Sequence, residues 1–402
     1  MSSNTGALRG QALHEPAETR KIKSRKVRPG SGDFMIVALV SALVMFGIIM
    51  VFSSGYYNSI MDSGSSPYSY LIKEAIFAGI GFAAMFFLMA FDYHILGKMG
   101  WMLVAIAEVL IALTYTPLGR SYNNAARWLP LPGGVGFIPS EAAKLACIIF
   151  LAAYLAARPD RINRPVTGLL PPLAVIAVIV LSVYLQPSTT SAATILIICI
   201  GIIFIAGVKL RYVFIAFAAG VAAFGMHIVM EAGEGGSYKM SRLTSFLDPF
   251  ADAGNTGYQV VHGIYALASG GFFGSGIGNG VEKALYLPDP MNDFILATIG
   301  EELGMLGIML LIFAYILLIW RCIRTAMRAS DLLGTLIASG VAFMLSFQVV
   351  LNFMVVLSLA PPTGITLPFI SYGGTALIIF MAAMGIVINI SRHLKPVDSS
   401  EE

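Results

Sequence analysis

The stretch FMIVALVSALVMFGIIMVFS, residues 34–53, carries no charged side chain. It is long enough to cross a lipid bilayer as a helix, which takes about 20 apolar residues. Six basic residues lie just before it, between Arg20 and Arg28, in an otherwise polar N-terminal segment. This order does not match a cleavable signal peptide. We therefore expect residues 1–32 to form a disordered cytoplasmic tail and residues 34–53 to stay in the membrane as an anchor.

Nine more apolar runs follow the first. Only 12% of the 402 residues are charged and 57% are hydrophobic, whereas a soluble domain carries about 25% charged residues. The sequence therefore predicts an all-α membrane protein with about ten transmembrane helices. The nine runs are 71–91, 99–116, 141–157, 168–185, 190–207, 212–230, 294–320, 332–357 and 375–391.

The basic residues outside these runs fall on one side of the membrane if there are ten spans. Clusters at Arg158–Arg164, Lys209–Arg211 and Arg321–Arg328 alternate with loops that hold few cations. The positive-inside rule makes this side cytoplasmic. Both termini are then cytoplasmic, and the segment 231–293, between helices 7 and 8, is a large extracytoplasmic loop. We expect one membrane domain over 33–395 and a short cytoplasmic tail over 396–402.

The net charge and the cysteines exclude two classes of protein. A formal charge of +3 is too small to suggest nucleic-acid binding. Cys147, Cys199 and Cys322 lie in or at the edge of apolar runs. An odd number of cysteines in such positions argues against a disulfide framework.

The end of the large outer loop holds one carboxylate and one cation of interest. Asp293 directly precedes the eighth apolar run, and Lys283 lies ten residues before it. Asp is a favoured helix N-cap, so a capping role is the ordinary interpretation of Asp293. A carboxylate at the membrane surface can also serve as a general base, and the two roles are compatible.

A second group of charges surrounds the start of the fourth run. Glu141 and Lys144 are three residues apart and share one face of the predicted helix, so they can form an ion pair. Ionisable groups within a span are costly and are candidates for a functional site. Arg127, in the preceding loop, could bind a phosphate group or lie at the level of the lipid headgroups.

Two further segments combine polar residues with glycine or proline. Glu301 and Glu302 lie inside the eighth run, flanked by Gly300, Gly304 and Gly307. The glycines permit close helix approach, and we expect at least one of the carboxylates to face a polar interior. The segment Pro361–Gly374 has too many prolines and glycines to be helical. It could lie under a lipid headgroup or act as a structural plug.

Together these segments resemble the SEDS proteins (shape, elongation, division and sporulation), and within them the FtsW type. The resemblance extends from the first apolar run to Lys395. It is specific because four motifs occur together. They are Asn123–Lys144; Arg242–Pro249 with Gly257-Tyr258-Gln259; Gly276-Ile277-Gly278-Asn279 through Tyr286-Leu287-Pro288 to Asp293-Phe294-Ile295 and Gly300–Gly304; and Pro362–Gly374.

The resemblance implies an inverting peptidoglycan glycosyltransferase that polymerises lipid II at the outer face of the cytoplasmic membrane. Asp293 matches the essential carboxylate of the family and would be the general base. Arg127, Lys144 and Lys283 would hold the pyrophosphate, with Glu141 orienting Lys144. Residues Ser371, Tyr372, Gly373 and Gly374 would line the lipid groove. A divalent cation, Mg or Mn, could assist or replace the basic residues, and no organic cofactor is expected.

The same resemblance implies binding partners for the protein and leaves alternative functions open. The expected partners are lipid II, a class B penicillin-binding protein and other membrane proteins of the division machinery. An elongation (RodA) or sporulation paralogue is the nearest alternative. A lipid II flippase and a non-catalytic scaffold are the rivals from other classes, and a polymerisation assay separates the enzyme from both.

Three local departures from the family pattern accompany the match. Asn124 and Ile138 stand where Gly and Gln are usual. The turn between the fifth and sixth runs has Ser188 in place of the usual Asp and Thr190 in place of Gly. The residues before Asp293 are Asp289-Pro290-Met291-Asn292 rather than Glu-x-His-Thr. These changes leave Asp293 in place, but Ser188 replaces the carboxylate that the family usually has in the turn between the fifth and sixth runs.

Overall fold

The architecture was obtained as a computed structural model. It describes residues 32–394 except 62–65, 123–124, 132–134, 187, 216–217, 219, 221, 223–245 and 256. The helices are α1 (Phe34–Met61), α2 (Ser69–Ala90), α3 (Tyr93–Lys98), α4 (Gly100–Leu113), α5 (Pro139–Ala156), α6 (Leu170–Leu185), α7 (Thr189–Ile205), α8 (Tyr258–Gly270), α9 (Glu282–Leu285), α10 (Ile295–Arg328), α11 (Leu332–Val356) and α12 (Gly374–Ser391). Short helical turns at Pro159–Arg161 and Pro165–Leu169 lead into α6.

The predicted all-α membrane class is confirmed. Seven helical segments of the described chain are long and apolar enough to cross a bilayer, namely α1, α2, α5, Pro165–Leu185, α10, α11 and α12. The helices α4 and α7 are apolar but shorter. Each of these coincides with one of the predicted runs. The seventh run, 212–230, lies mostly outside the described residues, as do the two tails, so the number of spans and the placement of the termini stay predictions.

The loop between α4 and α5 contains a small sheet that the sequence did not predict. Strands β1 (Arg120–Tyr122), β2 (Ala125–Leu131) and β3 (Val135–Phe137) form an antiparallel sheet in the order β1-β2-β3. Leu129 pairs with Phe137 in this sheet. Side-by-side strands satisfy the backbone polar groups of a loop close to the membrane.

The long helix α10 is broken at Gly304, which has φ 64° and ψ −165°. The loop after α8 supplies the hydrogen bonds that the break removes. The N–H groups of Ser275 and Gly276 donate to the carbonyls of Glu301 and Glu302, each at 2.9 Å. In the opposite direction, the N–H groups of Met305 and Leu306 donate to Gly271 and Phe272, at 3.0 and 3.1 Å. An interrupted helix in a membrane is stable only with such replacements.

Glycines bring the neighbouring helices close to α10 and α12. A Cβ on Gly270 would lie 1.9 Å from the carbonyl oxygen of Gly300, so α8 and α10 touch through their backbones. A Cβ on Gly385 in α12 would lie 2.4 Å from the carbonyl oxygen of Met85 in α2. Small residues at helix contacts are the usual device for tight packing in membranes. The predicted role of glycine in close approach is thus confirmed for Gly300, while Gly304 serves the break.

Candidate active site

The residues predicted for the site gather at one end of the bundle. The C-terminal ends of α1 and α11 and the N-terminal ends of α2, α5, α10 and α12 all reach this end. Here the loop 357–373 packs against the segment that precedes α10. Helix α1 lies close to both α2 and the segment before α10. A Cβ on Gly55 of α1 would lie 3.1 Å from Tyr70 of α2 and 3.2 Å from Met291.

Asp293 lies just before α10, partly buried, and its backbone is fixed by α11. The side-chain amide of Asn352 donates to the carbonyl of Asp293 and to the carbonyl of Ile365, both at 2.8 Å. Asn352 is itself only 1% exposed. The helix N-cap is Phe294, and the cap has no side-chain hydrogen bond. The capping role considered for Asp293 stays a prediction.

The segment Pro361–Gly373 is irregular, as predicted, and its backbone is tied to the same place. The N–H of Tyr372 donates to the carbonyl of Met291 at 2.8 Å. Ser371 is 4% exposed, and its hydroxyl accepts from the N–H of Leu367 at 2.8 Å. Ser371 therefore shapes the loop from within. Because Met291 is two residues from Asp293, the loop and the carboxylate are held together.

Tyr372 presents its ring to α2. The rings of Tyr70 and Tyr372 meet edge to face, with 5.3 Å between centroids. Burial, together with the nearby Glu74 carboxylate and Tyr70, raises the pKa of Tyr372 to about 12. The phenol is therefore neutral at physiological pH and can donate a hydrogen bond but cannot serve as a base.

Glu74 has a buried carboxyl group and was not among the candidate residues identified from the sequence. It lies in the second turn of α2, is 2% exposed, and accepts a hydrogen bond from the N–H of Gly373. Its Oε2 atom has no hydrogen-bond partner within the described part of the chain. A carboxylate inside the apolar run 71–91 was the available signal, since ionisable groups in spans are rarely there by chance.

Glu141 and Lys144 form the ion pair that their spacing predicts. Lys144 Nζ lies 2.8 Å from both carboxylate oxygens of Glu141, and the side chains of Lys144 and Glu141 are 3% and 14% exposed. The pair lies in the first two turns of α5. Hydrogen bonds link this region to α12, since Thr375 Oγ1 accepts from the N–H of Ile138 at 3.2 Å and lies 3.3 Å from the carbonyl of Gly136.

Arg127 lies on β2, whose strand packs against α5. The side chain is partly buried at the sheet. Gly136, on the paired strand β3, has no room for a side chain, because its Cβ would lie 2.3 Å from the Trp128 ring. The sheet therefore places Arg127 on the same side of the bundle as the Glu141–Lys144 pair and the start of α12.

Lys283 belongs to a separate, fully buried cluster. Its ammonium forms an ion pair with Glu302 and donates to Ser53 Oγ at 2.7 Å and to the Ser53 carbonyl at 3.1 Å. The side chains of Lys283 and Glu302 are 1% and 0% exposed. Ser53 Oγ also donates to Glu302 at 2.7 Å. To hold a phosphate, Lys283 would have to leave this cluster.

The neighbouring Glu301 has a structural role. Its Oε1 atom accepts the N–H groups of Val281 and Glu282, at 2.6 and 2.9 Å, which start the short helix α9. The polar surroundings expected for Glu301 or Glu302 are thus provided by other groups of the protein. Both carboxylates join α10 to the short helix α9, which contains Lys283.

Two expectations concern groups around this site. Within the described residues, no three His, Cys, Asp or Glu side chains are placed to hold a metal ion. A divalent cation bound together with the substrate's own phosphates remains a prediction. Ser188, which stands where the family has Asp, is 3% exposed and donates to Ser191 Oγ at 2.8 Å. That turn therefore contributes a hydroxyl and no charge.

Comparison with known proteins covers almost the whole chain. Residues 33–396 match the profile of the FtsW/RodA/SpoVE family, described as cell cycle protein. A probable peptidoglycan glycosyltransferase FtsW from Geobacter sp. (strain M18) is 34% identical over 90% of this chain and 97% of its own length. Stage V sporulation protein E of Bacillus subtilis is 35% identical over 90% of this chain and 98% of its own length.

Solved structures of similar proteins agree with the match to this family. A chain from the solved structure "Structural coordination of polymerization and crosslinking by a peptidoglycan synthase complex" superposes with a TM-score of 0.71 and 28% identity, covering 90% of this chain and 98% of that chain. Rod shape determining protein RodA of Thermus thermophilus gives a TM-score of 0.65 and 25% identity, covering 91% of this chain and 98% of that chain. The chain therefore belongs to the FtsW/RodA/SpoVE family, that is, to the SEDS proteins, and is a multi-pass protein of the bacterial cytoplasmic membrane.

Proposed function

We propose that the chain is a peptidoglycan glycosyltransferase that polymerises lipid II during cell division. Relatives over most of its length are named probable peptidoglycan glycosyltransferase FtsW, at 34% identity for the Geobacter protein and 36% for one from Thioalkalivibrio. The single structural observation that supports this activity is the position of Asp293. Its carboxylate lies at the end of the bundle where α2, α5, α10 and α12 begin, and its backbone is fixed by Asn352.

The proposed reaction is one in-line displacement. Asp293 takes the proton of the acceptor sugar hydroxyl, whose oxygen forms a bond to the anomeric carbon of the donor. The bond from that carbon to the phosphate oxygen breaks, and the polyprenyl pyrophosphate leaves. The hydrogen bond from Asn352 to the backbone of Asp293 would hold this base within hydrogen-bond reach of the reacting hydroxyl.

The leaving pyrophosphate requires positive charge on the same side of the bundle. Arg127 and Lys144 are the candidates, with Glu141 holding Lys144 in position at 2.8 Å. A divalent cation, Mg or Mn, would add charge to the same group. Lys283 is a weaker candidate because Glu302 and Ser53 already engage its ammonium. The segment Ser371–Gly374 would line the groove for the lipid.

The proposed partner is a class B penicillin-binding protein, with other membrane proteins of the division machinery. One of the similar solved chains comes from a peptidoglycan synthase complex that coordinates polymerisation with crosslinking. A polymerase that releases uncrosslinked strands needs such a crosslinking partner. The similarity to stage V sporulation protein E at 35% identity makes sporulation the alternative setting for the same chemistry.

The flippase alternative receives less support from the carboxylates. A transport path would need polar groups exposed along the membrane. Glu302 is instead paired with Lys283, Glu301 starts α9, and the hydroxyl of Ser182 donates to Glu108. Each of these carboxylates therefore has at least one protein partner within the bundle, which favours a fixed catalytic site at one end.

Lipid II polymerisation by the purified protein tests the proposal. Asp293→Asn removes the base but keeps the shape and polarity of the side chain, so turnover is expected to fall by at least about 100-fold. Asp289→Asn is the matched control: it lies in the same loop, is exposed, and has φ 44°, which Asn tolerates. Normal activity in Asp293→Asn, or an equal loss in Asp289→Asn, would contradict the assignment.

The orientation of the site is tested separately by thiol labelling. The three native cysteines are buried, so the background is low. A cysteine at Leu247, which is 73% exposed, is expected to react with an impermeant reagent added outside cells. A cysteine at the exposed Arg161 is expected to react only after the membrane is opened, and the reverse pattern would overturn the topology.

A further inference from the structure

A cavity of about 300 Å³ opens at the end of the bundle opposite Asp293. It lies where the chain enters α1 and where α10 and α12 end, and its walls include Asp33, Arg321, Arg324 and Arg328. This is the end that the basic residues predict to be cytoplasmic. Nothing in the proposed transferase reaction uses this cavity.

The cavity carries an excess of positive charge. Arg321, Arg324 and Arg328 occupy positions i, i+3 and i+7 of α10 and therefore share one face of the helix. Asp33 is the only carboxylate among the described lining residues. It is engaged with Arg321, at 2.8 Å from Nε and 2.6 Å from Nη2. Arg324 and Arg328 have no carboxylate partner in the described part of the chain.

The structure holds these cations in place. Asp33 is anchored to α12, because its N–H donates to Ser391 Oγ at 2.9 Å. The guanidinium groups of Arg321 and Arg324 lie over the Trp320 ring, 5.7 and 5.5 Å from its centroid. Cation–π contacts of this kind keep an arginine ordered without neutralising it. Two of the three arginines that line the cavity are thus held in place.

Apolar side chains surround the charged opening on the membrane side. Phe34 is 71% exposed, Met327 is 76% exposed and Trp320 is 49% exposed. In a membrane these side chains face acyl chains, while Trp320 lies at the interface. A ligand that fits must combine an anionic head with an apolar body. The six basic residues between Arg20 and Arg28 have the same sign of charge as the cavity, so charge complementarity favours an anionic lipid over these residues as its occupant.

We propose that this cavity binds the headgroup of an anionic phospholipid of the inner leaflet. The phosphate would lie against Arg324 and Arg328, with its acyl chains along Phe34 and Met327. Basic pockets between helices on the cytoplasmic side suit such headgroups. The lipid would add a further link between α1, α10 and α12, whose ends already meet through the Asp33 contacts and a backbone bridge between Ala329 and Leu394.

The test measures binding of phosphatidylglycerol to the full-length, delipidated protein by native mass spectrometry. Each arginine near an anionic surface contributes about 1 kcal/mol, or roughly fivefold in affinity. Arg324→Gln combined with Arg328→Gln is therefore expected to weaken binding about 25-fold. The matched control is Arg161→Gln combined with Arg164→Gln, two exposed arginines on the same side but outside the cavity.

A second variant changes affinity in the opposite direction, so misfolding cannot imitate it. Asp33→Asn removes the only described carboxylate of the cavity and is expected to tighten phosphatidylglycerol binding. Phosphatidylcholine, which has no net charge, and millimolar inorganic phosphate are expected to bind far more weakly. Equal loss in the Arg161 and Arg164 control would overturn the proposal. So would equal binding of phosphatidylcholine, displacement by free phosphate, or loss when Arg20–Arg28 are neutralised instead.

Discussion

Replacing Lys283 with Met is the most informative perturbation of the buried cluster. The change removes the ammonium that pairs with Glu302 and leaves that carboxylate, 0% exposed, without its cation. Removing one partner of a buried ion pair costs about 3–5 kcal/mol. Because both side chains are at most 1% exposed, solvent screening does not reduce this figure. Ser53 Oγ still donates to Glu302, so we expect a loss near the lower end of the range.

The double variant Lys283→Met with Glu302→Gln should recover most of that stability. It removes both charges of the pair, and exchange of a whole buried pair for neutral groups is often close to neutral in free energy. The exposed Lys73 provides the control, since Lys73→Met is expected to change stability by no more than about 0.5 kcal/mol. Stability is measured by unfolding in detergent micelles, and lipid II polymerisation is measured on the same samples.

The two roles considered for Lys283 give opposite results. A structural role predicts that Lys283→Met is unstable and that the double variant regains both stability and activity. A phosphate-binding role predicts lost activity at unchanged stability, with no recovery in the double variant. The second outcome would refute the interpretation of Lys283 as a buried partner of Glu302.

Three other predictions follow from contacts described above. Lys144→Met should destabilise the protein, because Glu141 is left unpaired in an apolar setting. Adding Glu141→Gln to the same chain should restore folding. Loss of activity in Lys144→Met without a change in stability would instead support Lys144 as a phosphate ligand. Glu74→Ala should lower the free energy of unfolding by about 1–3 kcal/mol, because the Gly373 N–H loses its acceptor. Glu74→Gln keeps an acceptor and should unfold near the wild-type temperature. Equal losses of stability in the two variants would refute the contact. Gly304→Ala should destabilise by more than about 1–2 kcal/mol, because Gly304 has φ 64° and a Cβ would lie 2.5 Å from the backbone nitrogen of Gly274; a variant as stable as wild type in thermal unfolding would contradict the break in α10.

The features that sequence predicts well are those set by contiguous residues. Apolar runs fix where most spanning helices lie, because each must be apolar over its whole length. The three-residue spacing of Glu141 and Lys144 fixes their pairing, because both belong to one helix. The match of Asp293 to an essential carboxylate comes only from the resemblance to a family, and nothing in the sequence predicts that it lies beside the segment Pro361–Gly374. Its contact depends on Asn352, which no spacing rule links to it.

The features that sequence missed depend on partners far along the chain. Lys283 and Ser53 meet across 230 positions, so neither residue by itself indicates a cluster. The break at Gly304 is stable only because the loop at Gly271–Gly276 donates and accepts in place of the helix, and a run of apolar residues gives no sign of this. The small sheet around Arg127 arises from strands of three and seven residues, which are too short for an alternating pattern.

The exchange of hydrogen bonds at Gly304 has a mechanical consequence. The part of α10 before Gly304, the loop 271–276 and helix α9 share backbone bonds at Glu301 and Glu302 and an ion pair between Lys283 and Glu302. Because the loop 271–276 is also bonded to Met305 and Leu306, it bridges both sides of Gly304 and braces the break against bending. Asp293 is tied to α11 by Asn352, and the helix that follows it is braced at its break, so the backbone around this carboxylate is held from two directions.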